Sequence, residues 1–200
     1  HHNINGDFSI MSELRTDRIV PKDGLISGTG IGGGIIQVKN TTMTATQEVS
    51  CANASALAYY DTNLACTMTP TRSDSKILIS LSVTGEGNAS NQETFTYRVK
   101  RVISGGSTSY IQASGYGSRS PSLGVTGDNT ADASTTPSSF SFSNYMDVPS
   151  TTSAVTYTLQ ITYSFGYGAG TYYINRQVSD SDAGANARFV SWMTLMEVTG

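Results

Sequence analysis

Histidine, cysteine and charge are all scarce in this 200-residue chain, and each shortage removes a class of function. Both histidines, His1 and His2, stand at the extreme N-terminus. The rest of the chain therefore offers no Ser-His-Asp or Cys-His arrangement and no histidine-based metal site. Cys51 and Cys66 are too few for a disulfide scaffold at this length. They could pair across two strands, but two partly buried free thiols are the favoured reading. Neither has a neighbouring basic residue to activate it, so no nucleophilic thiolate is expected, and no metal spacing surrounds them. Charged residues make up 14% of the chain, where about a quarter is usual. Four Lys and five Glu exclude the charge-laced surfaces of coiled coils and helical bundles. A net charge of −3 with scattered Lys and Arg offers no basic face for nucleic acid. No run of about 20 apolar residues suggests a membrane-spanning helix, and the N-terminus lacks the pattern of a signal peptide.

Small polar residues fill the space: 28 Ser, 26 Thr and 20 Gly. Ser and Thr compete for helical backbone hydrogen bonds and Gly loses too much entropy in a helix, so strands are favoured. Residues 1–10, HHNINGDFSI, read as the end of a purification tag with a linker, which would start the native chain at Met11. Residues 11–34 read as a leader ending in Gly28-Thr29-Gly30-Ile31-Gly32-Gly33-Gly34, too glycine-rich to be ordered by local contacts and expected to be held by a neighbouring chain or assembly. Residues 35–200 are the expected head domain.

Period-2 alternation is strong there. Ile77, Ile79, Leu81 and Val83 share one face, as do Phe95, Tyr97 and Val99. Phe140, Phe142, Met146 and Val148 form a third set, and Val155, Tyr157, Leu159, Ile161, Tyr163 and Phe165 the clearest one. Weaker strands are expected over 35–39, 42–49, 57–68, 108–116, 172–178 and 189–198, with a long exposed loop over 117–138. The fold class is therefore all-β: an antiparallel β-sandwich or jelly roll of about eight or nine strands behind an extended N-terminal leader. No repeat of fixed period supports a β-helix or propeller.

Chemistry-bearing patterns are thin. Asp128 with Asp132, or Asp180 with Asp182, could form a carboxylate pair, but all four sit in Ser/Gly-rich turns and read as solvated turn-formers. Asp180 to Asn186 faintly resembles a calcium loop but lacks the ligand set of one. No metal, cofactor or catalytic residue is expected, and the chain is not read as an enzyme. Tyrosines outnumber tryptophan eleven to one and supply apolar area with a hydroxyl, which suits recognition surfaces. Tyr116 and Arg119 in the loop Gly115-Tyr116-Gly117-Ser118-Arg119, Tyr167 beside its glycines, and Tyr172 are the candidate receptor-binding residues. Trp192, Met193, Leu195 and Met196 lie on a strand apolar on both faces, a candidate inter-subunit seam, with burial inside one subunit the equal alternative.

Met11-Ser12-Glu13-Leu14-Arg15-Thr16-Asp17-Arg18-Ile19-Val20-Pro21 precedes the Gly-rich linker and Gly34-Ile35-Ile36-Gln37-Val38. Further landmarks are Ser75-Lys76-Ile77-Leu78-Ile79, Tyr145-Met146-Asp147-Val148-Pro149, Tyr172-Tyr173-Ile174-Asn175-Arg176 and Trp192-Met193-Thr194-Leu195-Met196-Glu197-Val198. In order and spacing, these resemble the short tail-fibre-like virion proteins of bacteriophages, marine and cyanobacterial phages especially. The resemblance implies a homotrimeric virion component assembled in the host cytoplasm. Its leader would attach to other tail or head proteins, and its β-rich head would point outward to host cell-surface polysaccharide. A head fibre or decoration protein without a receptor is the alternative, and a depolymerase a distant third.

Overall fold

Odd-numbered residues from Val155 to Tyr163 point into the interior and even-numbered ones away from it, as the alternation requires. The computed structural model describes residues 34–52, 58–88, 94–115, 121–127, 136–163 and 169–199. The proposed tag, the leader and the glycine linker lie outside them.

The described residues contain no helix and eleven strands: β1 (Ile35–Met43), β2 (Gln47–Cys51), β3 (Tyr60–Met68), β4 (Lys76–Asn88), β5 (Thr94–Ile103), β6 (Thr108–Ile111), β7 (Gly124–Gly127), β8 (Ser138–Asp147), β9 (Val155–Tyr163), β10 (Gly170–Ile174) and β11 (Ser191–Val198). All ladders are antiparallel. In one sheet, β4 is flanked on one edge by β8 and on the other by β11 and β10 in succession; β1 pairs with β11 and β2 with β10. In the other, β9 lies between β3 and β5, and the far edge of β5 carries β6 and β7 in succession. Counting each interrupted pair as one long strand, the sheets are four-stranded with the order of an eight-stranded jelly roll.

Asn175 holds the interrupted strands together. Its backbone is left-handed (φ 62°), which Asn tolerates better than most residues. Its buried side chain donates to the Met43 carbonyl (2.6 Å) and the Ala45 carbonyl (3.0 Å) and accepts from the Ser191 hydroxyl (2.6 Å). One residue thus ties the β1–β2 break to the β10–β11 excursion.

The core between the sheets is aliphatic at one end, with Leu64, Met68, Ile77, Ile79 and Leu195, and aromatic at the other. Tyr97 stacks on Phe140 at 4.6 Å and meets Tyr172 edge-on at 5.9 Å; Phe95 lies against Tyr163 and Tyr172. Hydroxyls carried inward find partners: Tyr97 with Thr126 (2.6 Å), and Tyr157 donating to Asp147 (2.8 Å), whose other oxygen accepts from Arg101 (2.7 Å).

Three expectations change. Between Ile79↔Tyr145 and Leu81↔Phe142, β8 carries one extra residue at a bulge where Asn144 is left-handed (φ 59°). The bulge reverses the faces beyond it, so Asp147 is buried while Met146 and Val148 are 45% and 51% exposed instead of joining Phe140. The expected loop over 117–138 contains β7, paired with β5 through Thr94↔Gly127 to Tyr97↔Gly124. The strand expected to reach residue 116 ends at Ile111.

Candidate functional site

The outer face of the β3-β9-β5-β6 sheet carries a polar chain running across β3, β9 and β5 to the residue after β6. Arg98 of β5 donates through Nε to Gln160 of β9 (2.6 Å) and through Nη1 to Gln112 beyond β6 (3.1 Å). Gln160 donates onward to Asp61 of β3 (2.6 Å), whose second carboxylate oxygen accepts from Lys100. Register places these groups side by side, since Gln160 faces both Arg98 and Asp61, and Lys100 faces Tyr110. The Arg98 guanidinium lies between two rings, 4.0 Å from the Tyr59 centroid and 3.8 Å from that of Tyr110. Tyr59 is held in place by donating to the Pro121 carbonyl (2.6 Å). Thr96, Thr158, Gln160 and Thr162 are buried although they point away from the core.

Electrostatics follow from that half-buried position. Burial draws the Arg98 pKa below its ordinary value, against the opposing influence of Tyr110, Tyr59 and Asp61. Burial alone would raise Asp61, but hydrogen bonds from Lys100 and Gln160 outweigh it and hold the carboxyl below the usual range.

The outer face of the opposite sheet differs in kind. Val38 of β1 faces Met196 of β11, Met196 faces Leu78 of β4, and Leu78 faces Met146 of β8. Four apolar side chains thus stand in one row across four strands, with Val38 52% exposed and Met146 45%. Ile35 and Val198 adjoin the row. Toward the other end the face turns to hydroxyls and an amide, Asn40, Thr194 and Ser80, then Thr42, Ser82 and Ser141, with the exposed Trp192 indole between Thr42 and Ser82. Over the described residues of β1, β11, β4 and β8, two charges are directed outward, Lys76 and Glu86, and Glu86 is buried, so Lys76 is the one that reaches solvent.

Elsewhere several ionisable groups are engaged structurally. Arg176 stacks on Tyr173 at 4.1 Å and donates to Glu48 (2.5 Å) and to the carbonyls of Gln177 and Val178. Buried Glu86 accepts from the backbone of Thr136 and Val178. Asp180 pairs with Arg188, and Asn186 closes that turn onto Ser181 (2.8 Å). Cys51 and Cys66 are free and buried, and burial pushes the Cys51 thiol up to about 11, so it stays protonated at neutral pH. Cys51 borders a shallow cavity of about 250 Å³ with Ser50, Ala52, Asn88, Ala169, Gly170 and Thr171, a lining without a carboxylate or a basic group.

Of the candidate receptor-binding residues, Tyr116, Arg119 and Tyr167 lie outside the described residues, as do Asp128 and Asp132. Tyr172 is corrected: its ring is wholly buried against Phe95 and Tyr97, because the even-numbered positions of β10 face inward. Such a residue supports the core and meets no ligand. The candidate seam divides by parity. Met193 and Leu195 are wholly buried in the subunit's own core, so they cannot contact a second copy, whereas Trp192 and Met196 point outward from the same strand. Sequence reading missed Tyr59, Arg98, Tyr110 and Gln160 as a group. The one signal was Arg98 and Lys100 on the non-core face of a strongly alternating strand.

No protein-family model matches the chain, and no curated protein matches it. Among solved structures it is similar to "Structure of infectious bursal disease virus Gx strain", at 9% identity and a TM-score of 0.42. The match covers 92% of this chain and 44% of that one, so this chain spans less than half the length of that protein, and a likeness this slight does not bear on function.

Proposed function

We propose that this protein is a non-enzymatic structural component of a virus particle, a bacteriophage virion protein whose jelly roll packs against copies of itself and displays its other face outward. The carrying observation is the apolar row Val38–Met196–Leu78–Met146 on a face where Lys76 is the one charge that reaches solvent. Exposed and half-exposed apolar side chains aligned over four strands gain free energy when covered, and with Lys76 the one solvent-reaching charge beside them, covering desolvates few ions. A second copy offers that same apolar row. The resemblance of residues 11–21 and the later landmarks to phage tail-fibre-like proteins supports a virion role, a trimer, and attachment to other virion proteins through the leader. The polar face of the opposite sheet is then free to meet host cell-surface polysaccharide.

Light scattering on the purified chain tests the assembly reading. The expected result is about three times 21.2 kDa, falling to a single copy in a Met146→Lys, Met196→Lys double variant that keeps its strand circular dichroism. A wild type that is monomeric at micromolar concentration would remove the reading. Recognition is tested separately, by binding of labelled protein to host cells and by blocking of phage adsorption. Failure of both, with the trimer intact, leaves a fibre or decoration protein without a receptor.

A further inference from the structure

Each of the other described arginines lies within 4.0 Å of a carboxylate: Arg72 beside Asp74, Arg101 beside Asp147, Arg176 beside Glu48, and Arg188 beside Asp180. Arg98 has no described carboxylate at that distance. Its bonds go to the amide oxygens of Gln160 and Gln112, and its two faces are covered by Tyr59 and Tyr110. The nearby Asp61 carboxylate is committed to Lys100 and Gln160. Arg98, Lys100 and Asp61 together carry one excess positive charge on a chain whose net charge is −3.

Neutral dipoles and π faces orient a guanidinium without neutralising it. Two of its five N–H donors are taken by the glutamines, and its rotamer entropy is already spent between two rings. Such a group is prepared for an anion, and burial strengthens that attraction by excluding water. Beside it, the Tyr110 ring is 45% exposed on a strand whose neighbour presents Lys100. A flat aromatic face next to an ammonium and an amide suits a pyranose, which stacks its C–H face on the ring and gives its hydroxyls to the polar groups.

We propose that Arg98, with Tyr110, Lys100 and Gln112, forms a subsite for a carboxylate-bearing sugar, so that the glycan recognised by this face is acidic. The subsite rests on the reading of this sheet as the outward, host-facing one. Simple anions are not the intended ligand, since they would use Arg98 and leave Tyr110 idle.

The test is calorimetric titration of the full-length protein with a hexuronate oligosaccharide, its methyl-ester form, and sodium sulfate. The expected order is hexuronate tightest, with the ester about tenfold or more weaker, the cost of losing one charge-assisted contact. Arg98→Gln should abolish the difference between acid and ester, while Arg72→Gln, on an exposed turn, should leave it unchanged. Tyr110→Ala removes the stacking face and one of the two rings over Arg98, so it should weaken both acid and ester, keeping the question open to measurement if Arg98→Gln fails to fold. Equal affinity for acid and ester, binding of sulfate as tight as hexuronate, or no hexuronate binding at millimolar concentration would each overturn the subsite. Because light scattering reads assembly independently, a trimer that ignores hexuronate sinks the subsite and leaves the virion reading standing.

Discussion

Glu197 shows how one side chain can anchor a sheet edge. It sits on the inward-facing parity of β11 and is buried, accepting from Gln37 Nε2 (2.6 Å), the Thr71 backbone N–H (2.7 Å) and the Thr71 hydroxyl (2.8 Å). Burial alone would raise its pKa, but the hydrogen bonds from Gln37 and Thr71 prevail and hold the carboxyl below its ordinary 4.5. A folded-state pKa below the unfolded one means that the ionised group stabilises the fold above about pH 4.5 and that this contribution is lost as pH falls through the depressed value. Glu197→Gln should therefore lower stability by about 1–2 kcal/mol near neutrality. Its urea midpoint should converge on that of the wild type under more acidic conditions, where the wild-type residue is itself protonated. A gap that stays constant with pH would assign the loss to shape instead of charge. Asp61, also held low, contributes a slope of the same sign in both proteins.

At the scale of the element, β8 is the instructive strand. Its first half obeys the alternation set by Phe140 and Phe142, and its second half obeys the reverse, because Asn144 inserts a left-handed residue whose N–H donates to the Ser80 hydroxyl (3.2 Å). Asn144→Gly should leave stability within about 0.5 kcal/mol, and Asn144→Val should cost roughly 1–2 kcal/mol, since a β-branched residue strains the left-handed region. Thermal unfolding of the two variants checks this; equal losses would mean that the side chain matters more than the backbone angle. The same strand marks the limit of what alternation reveals. Val155 to Tyr163 was legible because every second residue is large and apolar and nothing interrupts the period. The bulge was not, since Ser143 and Asn144 are ordinary strand-edge residues until a partner strand fixes the pairing. β7, Gly-Val-Thr-Gly, was hidden because four residues cannot establish a period, and its close approach to the core shows only in space: a Cβ on Gly124 would lie 2.4 Å from the Phe140 ring. The Tyr59–Arg98–Tyr110 stack was equally illegible, drawn from the approach to β3 and from β5 and β6, which only the sheet order makes neighbours.

For the whole molecule, the decisive property is that its two outer faces have opposite chemistry. The β3-β9-β5-β6 face ties its charges into one hydrogen-bonded chain and is at ease in water; the β1-β11-β4-β8 face aligns Val38, Met196, Leu78 and Met146 with a single outward charge near them. A sandwich with two solvated faces would carry polar residues at those four positions, as it does one row further along at Asn40, Thr194 and Ser80. If the row is covered by a second copy, folding and association are linked, and the midpoint of thermal unfolding must rise with protein concentration. A hundredfold increase in concentration should move the wild-type midpoint upward by several degrees, whereas the Met146→Lys, Met196→Lys variant should unfold at one temperature throughout. The variant should also match or exceed the wild type at the lowest concentration, because lysines at these outward-facing strand positions keep their ammonium groups in water while their stems lie along the sheet. A wild-type midpoint independent of concentration would show that the row is not covered by self-association, and the proposed packing of copies through that face would fall.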